Sequence, residues 1–214
     1  MENRVAKRKA RALIPATANR LKRICLLAWE RGHMDGLSGN ASARTGEDFF
    51  VITAAGACKG RLRDGDFVQL DTSGRKIWGD KKASSEWRLH AALYEAFPEI
   101  RAVLHTHPVN LQALERATNA KPSVAADFLP SWLQESEIWQ KRFAVAEEAP
   151  LGSVAVGENA ASALRSLSAP FPRAVWLPRH GLCAAGAKID DALAIADELE
   201  HMAKVKIARL AVRQ

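Results

Sequence analysis

The sequence has 214 residues and a formal net charge of +7, and 48% of its residues are apolar while 26% are charged. This balance is typical of a globular chain of one or two domains, so it excludes whole-chain disorder, and no apolar run approaches the roughly 18 residues of a membrane span. Three scattered cysteines, Cys25, Cys58 and Cys183, exclude a disulfide framework and favour a soluble protein of the reducing cytoplasm.

Positive charge is concentrated in the first part of the chain. Residues 1–23 contain eight Lys or Arg residues and a single acidic residue, Glu2. A basic arm can bind nucleic acid or a membrane surface, but no nucleic-acid-binding motif follows it and no aromatic residues alternate with its basic ones. We therefore predict a solvated basic extension over residues 1–17, with neither a nucleic-acid nor a membrane partner, and one domain over residues 18–214. An organellar presequence is the alternative that the same composition leaves open.

Hydrophobic spacing and turn residues predict helices and strands in alternation. In chain order the predicted elements are a helix over 18–31, a loop over 36–44, strands over 49–53 and 67–71, a turn over 72–75, a strand over 76–78, a helix over 85–97, a strand over 102–107, helices over 109–118, 132–142 and 160–167, a strand over 174–177 and a helix over 190–212. Because short turns link several of the strands, the pattern predicts a layered α/β domain with a mixed or largely antiparallel sheet.

Two histidines lie on one predicted strand, in the order His105-Thr106-His107. Side chains alternate across a strand, so both imidazoles project from the same face and can bind one metal ion through neutral ring nitrogens. A His-x-His pair by itself is also typical of ordinary packing. A third histidine, His180, follows a buried apolar strand and precedes Gly181, so it lies at a strand end. Three histidines at strand ends predict a zinc site of the catalytic type, with a coordination position left for substrate.

Glu86 lies in the first turn of a predicted helix, directly after the pair Ser84-Ser85. A carboxylate there complements the helix dipole, which is the simplest interpretation. The amides of the helix terminus and the serine hydroxyls can instead bind an anion or a phosphate, and the loops with Ser38-Gly39-Asn40 and Ala55-Gly56 can add further amides. His90, one turn further along the helix, is expected to pack in the core or to hydrogen-bond to Glu86.

These segments, in this order, resemble those of the class II aldolase and adducin-head family, typified by L-fuculose-phosphate aldolase. The matching segments are Ser38-Gly39-Asn40-Ala41-Ser42-Ala43-Arg44, Ile52-Thr53-Ala54-Ala55-Gly56, Lys59-Gly60-Arg61-Leu62, Ser84-Ser85-Glu86-Trp87-Arg88-Leu89-His90, residues 98–107 and His180-Gly181-Leu182. The resemblance extends from residue 21 to residue 206, and its weakest part is the stretch 120–150.

The resemblance implies a three-layer α/β/α fold with a central mixed, largely antiparallel sheet, and a homotetramer with active sites between subunits. It assigns zinc, or another divalent metal, to His105, His107 and His180, and it assigns the role of catalytic acid and base to Glu86. Phosphate binding is assigned to residues of the loops and the helix terminus, namely Gly39, Asn40, Gly56, Ser84 and Ser85. The implied activity is that of a carbon–carbon lyase of carbohydrate metabolism. In such a lyase, zinc would polarise the carbonyl of a ketose or ketose phosphate and stabilise an enediolate, while the carboxylate would move the proton.

Two positions depart from the family pattern. Ala55 stands where the family has a Ser or Thr that helps to bind phosphate. Fuculose-phosphate aldolases use one tyrosine from mid-chain and one from the C-terminal tail, whereas the single tyrosine of this sequence, Tyr94, lies within the helix after Glu86. We therefore expect poor activity on L-fuculose 1-phosphate. The same departure leaves three alternatives open: a sugar-phosphate 4-epimerase, a methylthioribulose-phosphate dehydratase, and a non-catalytic assembly module like the adducin head.

Overall fold

One large sheet organises the chain in this computed structural model, which describes residues 2–117 and 125–212. Within these ranges the sheet has eight strands: β1 (Asn40–Arg44), β2 (Phe49–Thr53), β3 (Phe67–Asp71), β4 (Lys76–Trp78), β5 (Ala102–Thr106), β6 (Phe143–Val145), β7 (Arg173–Leu177) and β8 (Gly181–Gly186). The same ranges contain seven α-helices: α1 (Glu2–Ala12), α2 (Ile14–Glu30), α3 (Trp87–Ala96), α4 (Val109–Ala117), α5 (Glu135–Gln140), α6 (Val154–Arg165) and α7 (Ile189–Val212). None of the helices in the described ranges has the length and apolarity that a membrane crossing requires.

The strand order across the sheet is β4-β3-β2-β1-β5-β8-β7-β6. All neighbouring strands run antiparallel except β6 and β7, which are parallel. β5 lies near the centre, where its last residues pair with the first residues of β1 on one side and of β8 on the other. The prediction of a mixed, largely antiparallel sheet is therefore confirmed.

The sheet separates two hydrophobic cores, because side chains alternate between the two faces of each strand. On one face, Leu104 of β5 and Trp176 of β7 pack with apolar residues of α2, α4 and α7. On the other face, the neighbouring residues Val103 and Val175 pack with apolar residues of α3 and α6. Helices thus cover both faces of the sheet, and the predicted three-layer α/β/α architecture is confirmed.

Two helices precede the sheet. α1 ends at Ala12, and α2 begins at Ile14 with Pro15 in its first turn, where a proline is tolerated because the N–H group that it lacks would have no helical partner. Ala10 and Ile14 are buried. The solvated segment predicted over residues 1–17 therefore contains two residues that pack against the rest of the chain, while the domain boundary at residue 18 stays a prediction.

Three strands were not predicted as strands. β1 lies in the predicted loop 36–44, β6 lies in the weakly patterned stretch 120–150, and β8 directly follows His180. The small residues of β8 have low strand propensity, but all six are buried between β5 and β7, beneath α7, so tertiary packing decides their conformation. Residues 118–124, which include the end of the predicted helix 109–118, lie outside the described residues.

Candidate metal centre and active site

Three histidines meet where β5 ends. The Nε2 atom of His105 lies 3.1 Å from Nε2 of His107 and 3.1 Å from Nε2 of His180. His105 belongs to β5, His107 follows that strand, and His180 directly precedes β8. The candidate ligand nitrogens of the three rings all lie within 4.8 Å of one another, which is close enough for one metal ion to contact all of them.

The turn between β7 and β8 positions His180. The amide of His180 donates to the carbonyl of Leu177 at 3.0 Å. Arg179, within this turn, has a φ of 58°, a left-handed conformation that costs a non-glycine residue roughly 1–2 kcal/mol. Two carboxylates hold this residue in place: Glu115 accepts from its amide at 2.7 Å, and Glu148 pairs with its guanidinium at 2.8 Å. Contacts from outside the turn therefore hold the residue that directly precedes His180.

The hydrogen bonding and burial of His105 suit a metal ligand. Its Nδ1 lies 3.0 Å from the carbonyl oxygen of Leu182, and it must be the donor there because a carbonyl oxygen only accepts. The proton of the neutral ring is therefore on Nδ1, and Nε2 keeps the lone pair that a metal requires. Burial lowers the pKa of His105 to about 3 and also lowers the pKa of His107, so both rings are neutral at pH 7.

Glu86 directly precedes α3 and reaches the histidine cluster. Its Oε1 lies 2.8 Å from Nε2 of His180, and its Oε2 lies 3.4 Å from Nε2 of His105. Burial by itself raises the pKa of Glu86, but the neighbouring His105 and His180 and a hydrogen bond from Asn40 outweigh it and hold this pKa well below its ordinary value. The carboxylate is therefore ionised at neutral pH, which is the form that accepts a proton.

A chain of polar side chains leads from Glu86 into the core. Asn40 Nδ2 donates to Glu86 Oε2 at 2.6 Å, and Asn40 Oδ1 is hydrogen-bonded to His90 Nε2. His90 Nδ1 lies 2.6 Å from Ser42 Oγ, which in turn lies 2.8 Å from the phenol oxygen of Tyr94. Asn40, Ser42, His90 and Tyr94 are all buried. His90 thus reaches Glu86 through Asn40 and not by the direct hydrogen bond that its position on the helix suggested.

The candidate site residues line one pocket with a volume of about 320 Å³. Except for His105, every residue to which the resemblance assigned a role lines its wall: Gly39, Asn40, Gly56, Ser84, Ser85, Glu86, His107 and His180. His105 is fully buried, within contact distance of the other two imidazoles. The pocket therefore joins the candidate ligands, the carboxylate and the small-residue loops in one site.

The predicted anion-binding wall has several polar groups that already have partners. The amide of Ser84 donates to the carbonyl of Thr53 at 3.2 Å, and the amide of Ala55 donates to the carbonyl of Lys82 at 3.0 Å. Ser84 Oγ accepts from the amide of Glu86 at 3.3 Å. An anion in the pocket must therefore share the Ser84 hydroxyl with the beginning of α3.

Lys59 belongs to a segment that resembles the family, but the resemblance assigned it no role; in the structure it lines the pocket. It is 2% exposed, and its Nζ donates to the carbonyl oxygens of Leu37 at 2.8 Å and Ala57 at 2.7 Å. These carbonyls belong to the two loops that flank the pocket, so the ammonium group ties the loops together. Burial lowers the pKa of Lys59. The available sequence signal was a lysine directly after the small, apolar segment 54–58.

The sequence and the fold are similar to those of known proteins. The family model described as class II aldolase and adducin N-terminal domain matches residues 19–207. A methylthioribulose-1-phosphate dehydratase of Pseudoalteromonas translucida is 34% identical over 177 residues, which cover 81% of this chain and 82% of the relative. An L-fuculose phosphate aldolase of Escherichia coli is 31% identical over 188 residues, which cover 88% and 81%. The crystal structure of a sugar-phosphate aldolase from Thermotoga maritima matches with a TM-score of 0.79 and 21% identity over 94% of this chain and 97% of that one, which shows a common fold.

Proposed function

Because the chain belongs to the class II aldolase and adducin N-terminal domain family, we propose that it is a lyase that depends on zinc or another divalent metal and acts on a ketose or ketose phosphate. The observation that carries the proposal is the position of Glu86, whose carboxylate oxygens lie 2.8 Å and 3.4 Å from imidazole nitrogens of His180 and His105. Removal of a proton from the carbon next to a carbonyl group requires a proton acceptor and a metal that polarises the carbonyl. Glu86 is such an acceptor, and it lies beside a histidine cluster that suits a metal. The relatives named as a dehydratase and an aldolase are both lyases and support the same class.

The histidine cluster fits a divalent cation of the zinc type. His105 presents the lone pair of Nε2, and burial keeps His105 and His107 neutral, which is the protonation state that binds a metal. His180 would supply the third nitrogen from the turn that precedes β8. A cation bound there supplies Lewis-acid polarisation of the substrate carbonyl.

Glu86 moves the proton in this proposal. Its ionised carboxylate accepts the proton of the substrate carbon next to the carbonyl and can return it in a later step. Asn40 donates to Oε2 at 2.6 Å and so restricts the rotation of the carboxylate. The loops at Gly39 and Gly56 and the pair Ser84-Ser85, together with Asn40, are the groups that we assign to the phosphate or the hydroxyl groups of the substrate.

Dehydration of a ketose phosphate is favoured over aldol cleavage by the position of Tyr94. Fuculose-phosphate aldolases use, beside the carboxylate, a tyrosine as a second proton-handling group for the hydroxyl that becomes the departing aldehyde. The single tyrosine of the sequence is 1% exposed and bonded to Ser42, so it cannot supply the second group. Dehydration needs only Glu86, which removes a proton from one carbon and protonates the hydroxyl that leaves the next carbon as water. A 4-epimerase that works through carbon–carbon cleavage has the same need for a second group and is disfavoured by the same observation.

A panel of substrates tests the proposal. The purified protein with added zinc is incubated with methylthioribulose 1-phosphate, L-fuculose 1-phosphate and unphosphorylated ketoses, and products are identified by NMR. We expect a diketone from the first compound and little aldehyde from the second, and we expect both activities to be lost with a chelator. Efficient release of aldehyde from fuculose 1-phosphate would identify an aldolase, and no turnover of any compound would favour a non-catalytic module.

The proposal includes a homotetramer in the cytoplasm. Leu37 and Val109 are each 63% exposed and Trp29 is 44% exposed, and all three line the pocket or the neighbouring depression beside His107. Large exposed apolar side chains around a site are typical of surfaces that another subunit covers. The three cysteines are free, which suits a reducing compartment. Light scattering is expected to give four times the mass of the chain, whereas a monomer mass would contradict the assembly.

A further inference from the structure

Several buried polar residues that lie behind Glu86 have no role in the reaction proposed above. We propose that His90 and Ser42 are positioning residues that form a one-directional hydrogen-bond chain, which orients the Asn40 amide and, through it, the Glu86 carboxylate. The kinetic part of this inference rests on the proposed function, because it takes Glu86 as the proton acceptor.

The chain arises from one face of a helix and one face of a strand. Glu86, His90 and Tyr94 are spaced four residues apart at the start of α3 and within it, so they share one side of the helix. Asn40 and Ser42 are two residues apart on β1, so they share one face of the sheet. The side chains alternate between helix and strand along the chain of hydrogen bonds, which is why five residues form one continuous path.

The Asn40 amide sets the direction of every hydrogen bond. Its Nδ2, which only donates, lies against Glu86 Oε2, and its Oδ1, which only accepts, lies against Nε2 of His90. His90 must then donate from Nε2, and because burial lowers the pKa of His90 to about 4, the neutral ring has no proton on Nδ1. Nδ1 accepts from the hydroxyl of Ser42, whose oxygen accepts from Tyr94. All the protons therefore point towards Glu86.

His90 prevents a rotation that Asn40 could otherwise make. A side-chain amide can turn by 180° with almost no change in shape, and the turned amide would place its oxygen against the carboxylate. With His90 in place, the turned amide would also place Nδ2 against the Nε2 proton, so two donors would face each other. Water cannot replace the lost bonds easily, because Asn40 and His90 are at most 3% exposed. Asn40 thus stays bonded to Oε2, and Oε1 is the oxygen left to accept the proton.

Nitrogen NMR of the histidine side chains tests the direction of the chain without a substrate. The full-length protein with added zinc is labelled with 15N-histidine and measured at pH 7, and His90 is assigned by the signals that the His90→Gln variant loses. The proposal requires a neutral His90 ring with its proton on Nε2. A proton on Nδ1, or a charged ring, would overturn it.

Kinetics test whether the chain positions Glu86. His90→Leu is expected to lower kcat by about 10–100-fold, the usual effect of losing a group that orients an active residue, with KM and zinc content unchanged. His90→Gln, which can still donate to Asn40 Oδ1, is expected to recover most of kcat. Since His90 acts through Asn40, the double variant Asn40→Ala/His90→Leu is expected to be no slower than Asn40→Ala alone.

A matched control separates positioning from loss of stability. Gln69 is a fully buried polar residue whose side chain donates to Thr45 at 2.9 Å and does not line the pocket. Gln69→Leu is expected to lower the melting temperature and leave kcat unchanged. Equal kcat losses in His90→Gln and His90→Leu, or losses that multiply in the double variant, would reduce His90 to a structural role.

If no substrate is found, a crystal structure of His90→Leu tests whether His90 holds the Asn40 amide in place. The proposal expects the Asn40 amide to leave Glu86 or to occupy two orientations. An unchanged contact between Asn40 Nδ2 and Glu86 Oε2 would overturn it. Absence of turnover with every ketose phosphate would refute the proposed function, while the NMR and crystallographic results would still decide whether the chain exists.

Discussion

Glu86 is held as a stable anion, which makes it a weak base in the resting site. Burial works against the charge, but His105, His180 and the bond from Asn40 keep its pKa well below the ordinary value. Glu86, Asn40 and His180 all line the pocket. We expect a substrate in the pocket to exclude water from the carboxylate, which raises its pKa because desolvation disfavours the charged form. Under the proposed function, substrate binding should therefore make Glu86 more basic.

Replacing Glu86 by Gln tests its role at the residue scale. Glu86→Gln keeps the size of the side chain but cannot accept a proton, so we expect turnover to fall by roughly 10²–10⁴-fold, the span of a positioned acid or base. Metal content, measured by atomic absorption, should not change. Glu99→Gln, at an exposed position, is the control and should keep full activity. Normal turnover by Glu86→Gln would leave Glu86 only a role at the beginning of the helix.

The buried His90 predicts a pH dependence of stability. Burial lowers its pKa from 6.5 to about 4, so between these values the unfolded chain binds a proton that the folded protein does not. The contribution of His90 to the free energy of unfolding is therefore fully present above pH 6.5. It falls by on the order of 3 kcal/mol as the pH falls towards 4.

Urea denaturation at several pH values and equal metal loading measures this effect. The His90→Gln variant, which has no titrating group at this position, should show a smaller loss of unfolding free energy between pH 6.5 and pH 4. Parallel curves for the two proteins would show that His90 is charged or exposed when the protein is folded.

At the scale of elements, β8 must approach β5 closely at the metal site. A Cβ atom on Gly181 would lie 2.4 Å from the carbonyl oxygen of Thr106 and 2.6 Å from Cδ2 of His107. Gly181→Ala is therefore expected to lower the free energy of unfolding by roughly 1–3 kcal/mol, as overpacking does, and to weaken zinc binding. Gly65→Ala is the matched control, because nothing lies within 4 Å of its added Cβ, and it should change neither quantity. Calorimetry of both variants checks the prediction.

Local sequence patterns predicted the elements whose apolar residues are long or branched. Residues 49–53 and 102–107 are read correctly because Phe, Val, Ile and Leu favour buried strands, and the structure has β2 and β5 there. β1 and β8 were not predicted, since Ala, Ser and Gly carry little strand signal. Both lie beside β5, where the sheet and the helices on its two faces decide the conformation.

Local sequence patterns also predicted only part of the candidate site. The histidines and Glu86 could be selected from residue type and position at element ends. The hydrogen-bond partners of Asn40 could not, because Glu86 and His90 are 46 and 50 residues away in the chain and meet Asn40 only when β1 lies beside α3. Lys59 was not selected for the same reason, since the two carbonyls that it joins belong to loops brought together by the fold. Long-range contacts of polar side chains leave no periodic signal in a sequence.

At the scale of the whole molecule, we expect the fold not to depend on a metal. Two hydrophobic cores, one on each face of the sheet, hold the helices in place. We expect about one zinc ion per chain, and we expect a chelator to remove it while the far-ultraviolet circular dichroism stays the same and the melting temperature falls, because zinc stabilises the native state by binding to it.

Two variants control the metal experiment. His105→Ala should bind no zinc and should melt at the same temperature with and without chelator. His201→Ala, at an exposed histidine outside the cluster, should keep zinc and its stabilisation. A metal-free protein that is unfolded at room temperature would show that the zinc is structural.

The central position of β5 also determines when this site can form during folding. His105 and His180 are 75 residues apart in the chain, and Asn40 and Glu86 are 46 apart. Strand pairing over such separations is slow compared with helix formation, because the chain must first close long loops. If the three histidines bind one metal ion, we expect them to do so only after β8 has paired with β5. In a refolding experiment with cobalt as the probe, the helical circular dichroism signal is therefore expected to appear before the cobalt absorption band. The delay between the two signals would show that the pairing of β8 with β5 is a separate kinetic step.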